Sequence, residues 1–476
     1  MNAEKHFRPF GTRDKVGYLF GDLGNDFFFM LASSFLTVFY TKVLGVEGAV
    51  VGTLFLVARC VDAVTDLTMG RIVDRARPGK DGRFRPWIRR MCIPVVLSGV
   101  LMFIPAAASL PMGWKLVYIY ATYLLWGSFC YTGINIPYGS MASVLTEDPV
   151  ERSSLSTFRS VGAAIASVAV TFVVPLIIYE TGDSGAQVVM GDRFLPLAIV
   201  FAVLALVCYL LCYRMTTERV HLRKQSGKNE RLGPALLRIV HNRALLAIIA
   251  AAIILLLSML LVQNFNNFLF ADYFNNKMAL AVAGLLGTAS TLLLAPFAGL
   301  LIARYGKREC SIVALLFAAA AYFVVFLMRV QNPWIFCVFS FLGGLGVGLF
   351  NLMVWAFITD IIDAQEVRSG VREDGTIYAV YSFARKIGQA LAGGLGGYAL
   401  QFIGYQSSAL GENVVQAPEV VQRIYTVSTI VPAVSYFLVA LVLLFWYPLT
   451  KRIVEENGKI LKEKRATEHA SQQNDE

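Results

Sequence analysis

The sequence predicts an all-α membrane protein with twelve transmembrane helices in two six-helix halves. Three observations carry that prediction. The chain is 57% hydrophobic and only 16% charged, with a mean hydropathy of +0.60, whereas soluble domains carry about 25% charged residues. Its apolar residues form long unbroken runs instead of alternating over about ten residues, which excludes an outer-membrane barrel. The longest charged interruption, residues 216–243, falls mid-chain and divides the runs six and six. The net charge of +10 is then explained by basic cytoplasmic loops, and nucleic acid is not an expected partner.

Runs of about 20 apolar residues place helices near residues 17–41, 48–73, 88–109, 115–140, 156–179, 194–214, 244–271, 280–303, 309–329, 334–362, 376–403 and 425–447. The expected domains are an N-terminal bundle over 1–215, a cytoplasmic central loop over 216–243, a C-terminal bundle over 244–450 and a cytoplasmic tail over 451–476. Lys and Arg crowd the loops after helices 2, 6 and 8 and the tail, including Arg71, Arg83, Arg85, Arg219, Arg304, Lys307 and Lys451. Loops of the other side are short and carry Asp183, Asp192, Glu412 and Glu419. By the positive-inside rule both termini are cytoplasmic. The first 15 residues are polar and basic, so no cleavable signal is expected.

The seven cysteines all fall within predicted helices without a paired spacing and read as small core residues. All four histidines lie outside the apolar runs, which removes histidine from any intramembrane proton relay. No GxxxxGK[ST] loop or metal-ligand cluster accompanies them, so an ATP-driven pump or an enzyme is not expected, nor any cofactor.

Helix 1 contains GDLGNDF, in which Asp22 reads as an interfacial cap and Asp26 lies deeper, where burial without function is costly. Helix 2 contains VARCVDAVTDLTMG, with Arg59, Asp62 and Asp66 spaced i, i+3, i+7 on one face. Such a stripe must face a bundle interior or a water-filled cavity, and paired carboxylates there suit a cation or a shared proton. A structural ion-pair cluster with Arg59 is the competing reading.

Helix 4 contains FCYTGINIPYGS: Thr132 and Asn135 offer oxygens, Pro137 breaks the backbone ladder, and Tyr131 and Tyr138 offer aromatic faces of the kind sugars stack on. Arg159, at the start of helix 5, is a forked donor suited to a hydroxyl pair or a carboxylate. The stretch 359–394 is dense in charge and mostly reads as a cytoplasmic loop whose ion pairs, among them Arg368, Arg372 and Glu373, latch one conformation. Lys386 is different. It lies about three turns into helix 11 and needs an anionic partner, for which the aspartates of helices 1 and 2 are candidates.

The end of helix 2, GRIVDRARPGK, is echoed six helices later by GLLIARYGKR, and the pair resembles the loop signature of the major facilitator superfamily. Together with VARCVDAVTDLTMG, the helix 1 motif and DIIDAQEVRSGVREDGTIYAVYSFARKIGQALAGG, the whole chain resembles the glycoside-pentoside-hexuronide:cation symporters, whose best-studied type is the melibiose permease. The resemblance implies cation binding at Asp62, Asp66 and Thr132 with Thr65 adjacent, the two aspartates serving as metal ligands if the ion is Na⁺. It implies sugar binding at Asp26 and Arg159, and a role for Lys386. Departures fall in the sugar site: Asn25 stands where the melibiose branch has lysine, Asn135 where it has aspartate, and Gly139 and Asn351 where it has tryptophans.

The resulting expectation is a secondary active symporter in the cell inner membrane. It would import a sugar, glycoside or hexuronide with Na⁺ or H⁺, using Asp26, Asn135, Tyr138, Arg159, Asn351 and Lys386 for the substrate. A carrier of lysolipid or another amphiphile, and a nontransporting sugar sensor, are the alternatives.

Overall fold

All twelve predicted runs lie on helix in the computed structural model, which describes residues 8–76, 79, 81–146, 148–182, 187–219, 242–370, 374–407 and 415–474. The helices are α1 (Thr12–Lys42), α2 (Gly48–Arg75), α3 (Arg85–Leu101), α4 (Met112–Leu124), α5 (Thr132–Leu145), α6 (Pro149–Ile178), α7 (Phe194–Met215), α8 (Arg243–Phe268), α9 (Lys277–Tyr305), α10 (Lys307–Met328), α11 (Pro333–Ser369), α12 (Asp374–Phe402), α13 (Pro418–Leu441) and α14 (Lys451–Asn474). Among the described residues nine helices are long and apolar enough to cross a membrane. Of the other three runs, α3 stops after 17 residues and gives way to a short 3₁₀ turn at Pro105–Ser109. The fourth run is split by a π-helical stretch, Leu125–Tyr131, into α4 and α5. The eleventh, α12, carries Arg385 and Lys386.

Some boundaries move. A two-stranded antiparallel ribbon, β1 (Tyr179–Thr181) with β2 (Gln187–Val189), stands where only a loop is expected. Helix α6 starts at Pro149, which puts Arg159 well inside the helix rather than at its start. Helix α11 runs on to Ser369, so Asp360, Asp363, Glu366 and Arg368 are helical rather than loop residues. It ends at Gly370 with φ of 72°, the left-handed turn that a residue without Cβ adopts freely. Six cysteines are buried as expected, but Cys60 is exposed.

The chain forms two compact units. Unit 1 comprises Met1–Ser226, Asn266–Leu285 and Gly393–Val421, and unit 2 comprises Gly227–Phe265, Leu286–Ala392 and Gln422–Glu476. Residues 266–285 and 393–421, which the sequence assigns to the second six helices, thus pack within unit 1.

In unit 1, α1 presents a row of glycines to α7. A Cβ on Gly17 would lie 2.7 Å from Met215 Cβ, one on Gly21 2.9 Å from Cys212 Sγ, and one on Gly24 3.1 Å from the Tyr209 ring. Small residues at this spacing let two helix backbones approach, the way helices associate where lipid removes any hydrophobic drive. A second such contact joins α2 to α12. Cβ atoms on Gly48, Gly52 and Gly397 would stand 2.8, 2.5 and 2.2 Å from the carbonyl oxygens of Gly397, Gly394 and Gly48.

An arginine just beyond the first copy of the loop signature and one at the end of the second make similar contacts, one in each unit. Arg85 donates to Tyr213 O at 2.7 Å, at the end of α7, and Arg308 donates to Leu443 O and Leu444 O at 2.9 and 2.6 Å, beyond α13. Both place a cation on helix-terminal carbonyls, where the macrodipole favours it. Glu218, at the start of the central loop, accepts the backbone N–H groups of Arg83, Phe84 and Arg85 at 2.6, 2.8 and 2.7 Å, and so caps α3 from a distant part of the chain. In unit 2, Lys307 pairs with Asp360 at 2.6 Å.

Candidate functional site

The helix 2 stripe lies in unit 1 and meets the π-helical turn of the fourth run. Ser128 Oγ donates to Asp62 Oδ1 at 2.5 Å and Thr132 Oγ1 donates to Asp66 Oδ1 at 2.9 Å. Each pair is separated by 66 residues, so two parallel segments lie in register with their hydroxyl and carboxylate rows facing. Arg59 takes the other oxygen of Asp62, Oδ2, at 3.3 Å. With the Arg59 side chain 30% and the Asp62 side chain 18% exposed, this is not a sealed ion-pair knot. Thr65 donates to Val61 O and Asp62 O in its own helix, which leaves its lone pairs as acceptors. The donor set consists of oxygens only, the chemistry of a hard cation or a proton.

One helix away is a second polar group. Asp22 is 4% exposed and accepts from Arg159 Nε at 2.9 Å, so it is a buried partner of Arg159 and not the interfacial cap its position suggests. Arg159 lies over the Tyr138 ring at 5.7 Å, and its two terminal nitrogens have no partner among the described residues. Asp26, a turn from Asp22 on α1, is half-buried, and its carboxylate makes no hydrogen bond or ion pair among the described residues. Asn25 donates to Asn135 Oδ1 at 3.4 Å and accepts from Tyr209 OH at 3.0 Å, so a neutral amide pair links α1 to α5.

The two aromatic candidates separate. Tyr138 is 1% exposed, stacks on Tyr18 at 4.6 Å and donates to Tyr18 O at 2.7 Å. With its ring covered it cannot be the open stacking face expected of it, and instead supports Arg159. Tyr131 is half-buried, stacks on Phe29 at 6.1 Å and lies tilted against Trp126 at 5.3 Å. A Cβ on Gly139 would meet nothing within 4 Å, so open space lies where the resemblance puts a tryptophan.

The remaining candidates fall in unit 2 or outside the description. Asn351 donates to Met259 Sδ at 3.6 Å within unit 2. Arg368 is exposed in the last turn of α11. Arg372 and Glu373 lie outside the described residues, as does the side chain of Lys386, whose backbone belongs to α12.

Sequence reasoning missed Ser128, Asp22 as a partner, and one further cluster. Lys42, at the end of α1, pairs with Asp272 at 2.6 Å, and Tyr405 OH donates to the other Asp272 oxygen at 3.0 Å. Burial, and next the Asp272 carboxylate, hold the Tyr405 phenol well above its ordinary range, so it stays a donor. Ser128 had a usable signal, since it precedes Thr132 by the same four residues that separate Asp62 from Asp66. The Lys42 cluster had none, because its members are more than 100 residues apart.

The family described as MFS/sugar transport protein matches residues 17–451. The "Glucuronide carrier protein homolog" of Escherichia coli (strain K12) is 32% identical over 449 residues, 93% of this chain and 94% of that protein. The "Putative glycoside/cation symporter YagG" of the same organism is 31% identical over 462 residues, 96% of each. The crystal structure of nucleoside transporter NupG superposes with a TM-score of 0.60 at 16% identity, over 92% of this chain and 100% of that one, a likeness of fold alone.

Proposed function

This chain belongs to the MFS/sugar transport protein family, among the glycoside-pentoside-hexuronide symporters, and from that premise we propose that it imports a glycoside or hexuronide by coupling to a cation bound at Asp62 and Asp66. It is a multi-pass membrane carrier and not an enzyme. The observation that carries the proposal is the pair of unsatisfied groups beside the carboxylate stripe: the Asp26 carboxylate and the terminal nitrogens of Arg159. Groups of this kind inside a membrane-spanning segment are expensive unless a ligand completes them.

The division of labour follows from chemistry. Asp62, Asp66, Thr132 and Thr65 hold Na⁺ or H⁺, whose charge offsets the cost of two neighbouring carboxylates. Asp26 accepts sugar hydroxyls, the Arg159 fork takes a hydroxyl pair or a carboxylate, Asn25 and Asn135 add neutral donors and acceptors, and Tyr131 lends an apolar face. Asn351 and Lys386 are the other residues proposed for recognition. Cation binding favours the substrate-binding state, and the reciprocal effect of substrate on cation is the coupling. The proposed carrier has twelve crossings, from its twelve apolar runs, and cytoplasmic termini, from its basic loops, and resides in the inner membrane. Rocking of the two halves exposes the site alternately, with Arg368 in the cytoplasmic latch.

Uptake into right-side-out vesicles under imposed Na⁺ and H⁺ gradients, against a panel of neutral glycosides and hexuronides, tests the proposal. One substrate should accumulate uphill with one gradient. Accumulation of lysolipid without sugar competition, or sugar binding without any uptake, would replace the reading.

A further inference from the structure

The π-helical turn Leu125–Tyr131 interrupts the fourth run where it faces the helix 2 carboxylates. Interruptions of this type favour functional sites because they shift side chains off the regular helical faces and loosen the local ladder. Ser128 sits in that turn and is 1% exposed. A buried serine in an apolar helix ordinarily donates to a carbonyl of its own helix, as Thr65 does in α2. Ser128 instead reaches across to Asp62, at 2.5 Å.

We infer that Ser128 supplies its hydroxyl oxygen to the coupling cation and makes the site one for Na⁺. The inference rests on the reading of Asp62 and Asp66 as the cation site. Arg59 takes Oδ2 of Asp62, so Oδ1 is the oxygen turned towards Ser128. Asp66 Oδ1 and Thr132 Oγ1 form the equivalent pair one turn on. Two carboxylate and two hydroxyl oxygens thus stand as two rungs, one turn apart, on two segments in register. A hydroxyl that donates to a carboxylate in the ion-free state becomes a ligand by turning its hydrogen away about the Cβ–Oγ bond. Thr132 already has a second acceptor for its hydrogen, Gly127 O at 3.3 Å. A proton needs only the carboxylates, whereas a hard metal cation gains from each added oxygen.

The test is Na⁺ titration of the purified full-length protein, read as the rise in melting temperature with no substrate present, for wild type, Ser128→Ala, Ser128→Cys and Asp66→Asn. Ser128→Ala should raise the half-effect Na⁺ concentration about tenfold, the factor that about 1.4 kcal/mol makes. Ser128→Cys keeps the side-chain shape but offers soft sulfur and should fail similarly, while Asp66→Asn should abolish the response. Wild-type Na⁺ dependence in Ser128→Ala and Ser128→Cys, with the response lost in Asp66→Asn, overturns the role of Ser128 alone. An unaltered response in Asp66→Asn overturns the cation-site reading and the inference with it. A wild type indifferent to Na⁺ overturns the inference and leaves a proton-coupled carrier standing.

Discussion

Removing Lys42 should destabilise the protein far more than a surface ion pair would. Its ammonium is 2.6 Å from Asp272 Oδ1, and the two side chains are only 10% and 14% exposed. The Phe268 and Tyr405 rings lie 5.6 and 5.8 Å from the same nitrogen. Lys42→Met leaves the Asp272 carboxylate buried with the Tyr405 hydroxyl and without its cation. Breaking such a pair from one side costs about 3–5 kcal/mol, against about 0–1 kcal/mol for an exposed pair. Asp272→Leu should cost a similar amount. The double variant Lys42→Met/Asp272→Leu should fall well short of the sum, because an apolar pair of similar volume leaves no orphaned charge. The assay is a double-mutant cycle on unfolding in one detergent, with an expected coupling of at least about 1.5 kcal/mol. Single variants that each cost under about 1 kcal/mol and add without coupling would refute the argument.

Three further outcomes are expected. Asp62→Asn and Asp66→Asn should each abolish uphill, cation-driven accumulation while leaving exchange down a substrate gradient, and uphill uptake at the wild-type level in either would contradict the coupling role. Glu218→Ala removes the acceptor of three backbone N–H groups and should lower stability by about 2–4 kcal/mol, with Glu218→Gln losing less; equal melting temperatures for all three proteins would count against the cap. Gly397→Val would drive a side chain into Gly48 O and cost about 1–3 kcal/mol or more; Gly70→Ala, with nothing within 4 Å, should be neutral in the same melting assay.

The helices were legible because lipid imposes a minimum run of apolar residues and leaves little else to read. The π-helical turn was not, since LWGSFCY lies inside one continuous apolar run with no proline or charge to mark the break. The carboxylate row on α2 followed from periodicity alone, whereas Thr132 as its partner followed only from the family resemblance. Tyr138 shows the limit of that approach: a tyrosine beside a polar motif reads as a binding face until Tyr18, 120 residues earlier, is found covering it. Asp22 is the converse case. Near the predicted membrane edge it looked peripheral, because nothing in the sequence says that α6 begins early enough to bring Arg159 against it.

The glycine contact between α2 and α12 has a kinetic consequence. Backbone lies on backbone there, yet Leu56 seats on Gly394 and Phe55 on Gly393, and Thr53 Oγ1 and Tyr398 OH share a hydrogen bond at 2.8 Å. What holds the surfaces is that hydrogen bond and those seated side chains, added to shallow dispersion and weak Cα–H···O attraction. Any barrier to parting this joint is therefore set by one hydrogen bond and a few side-chain contacts, not by a fully interlocked layer.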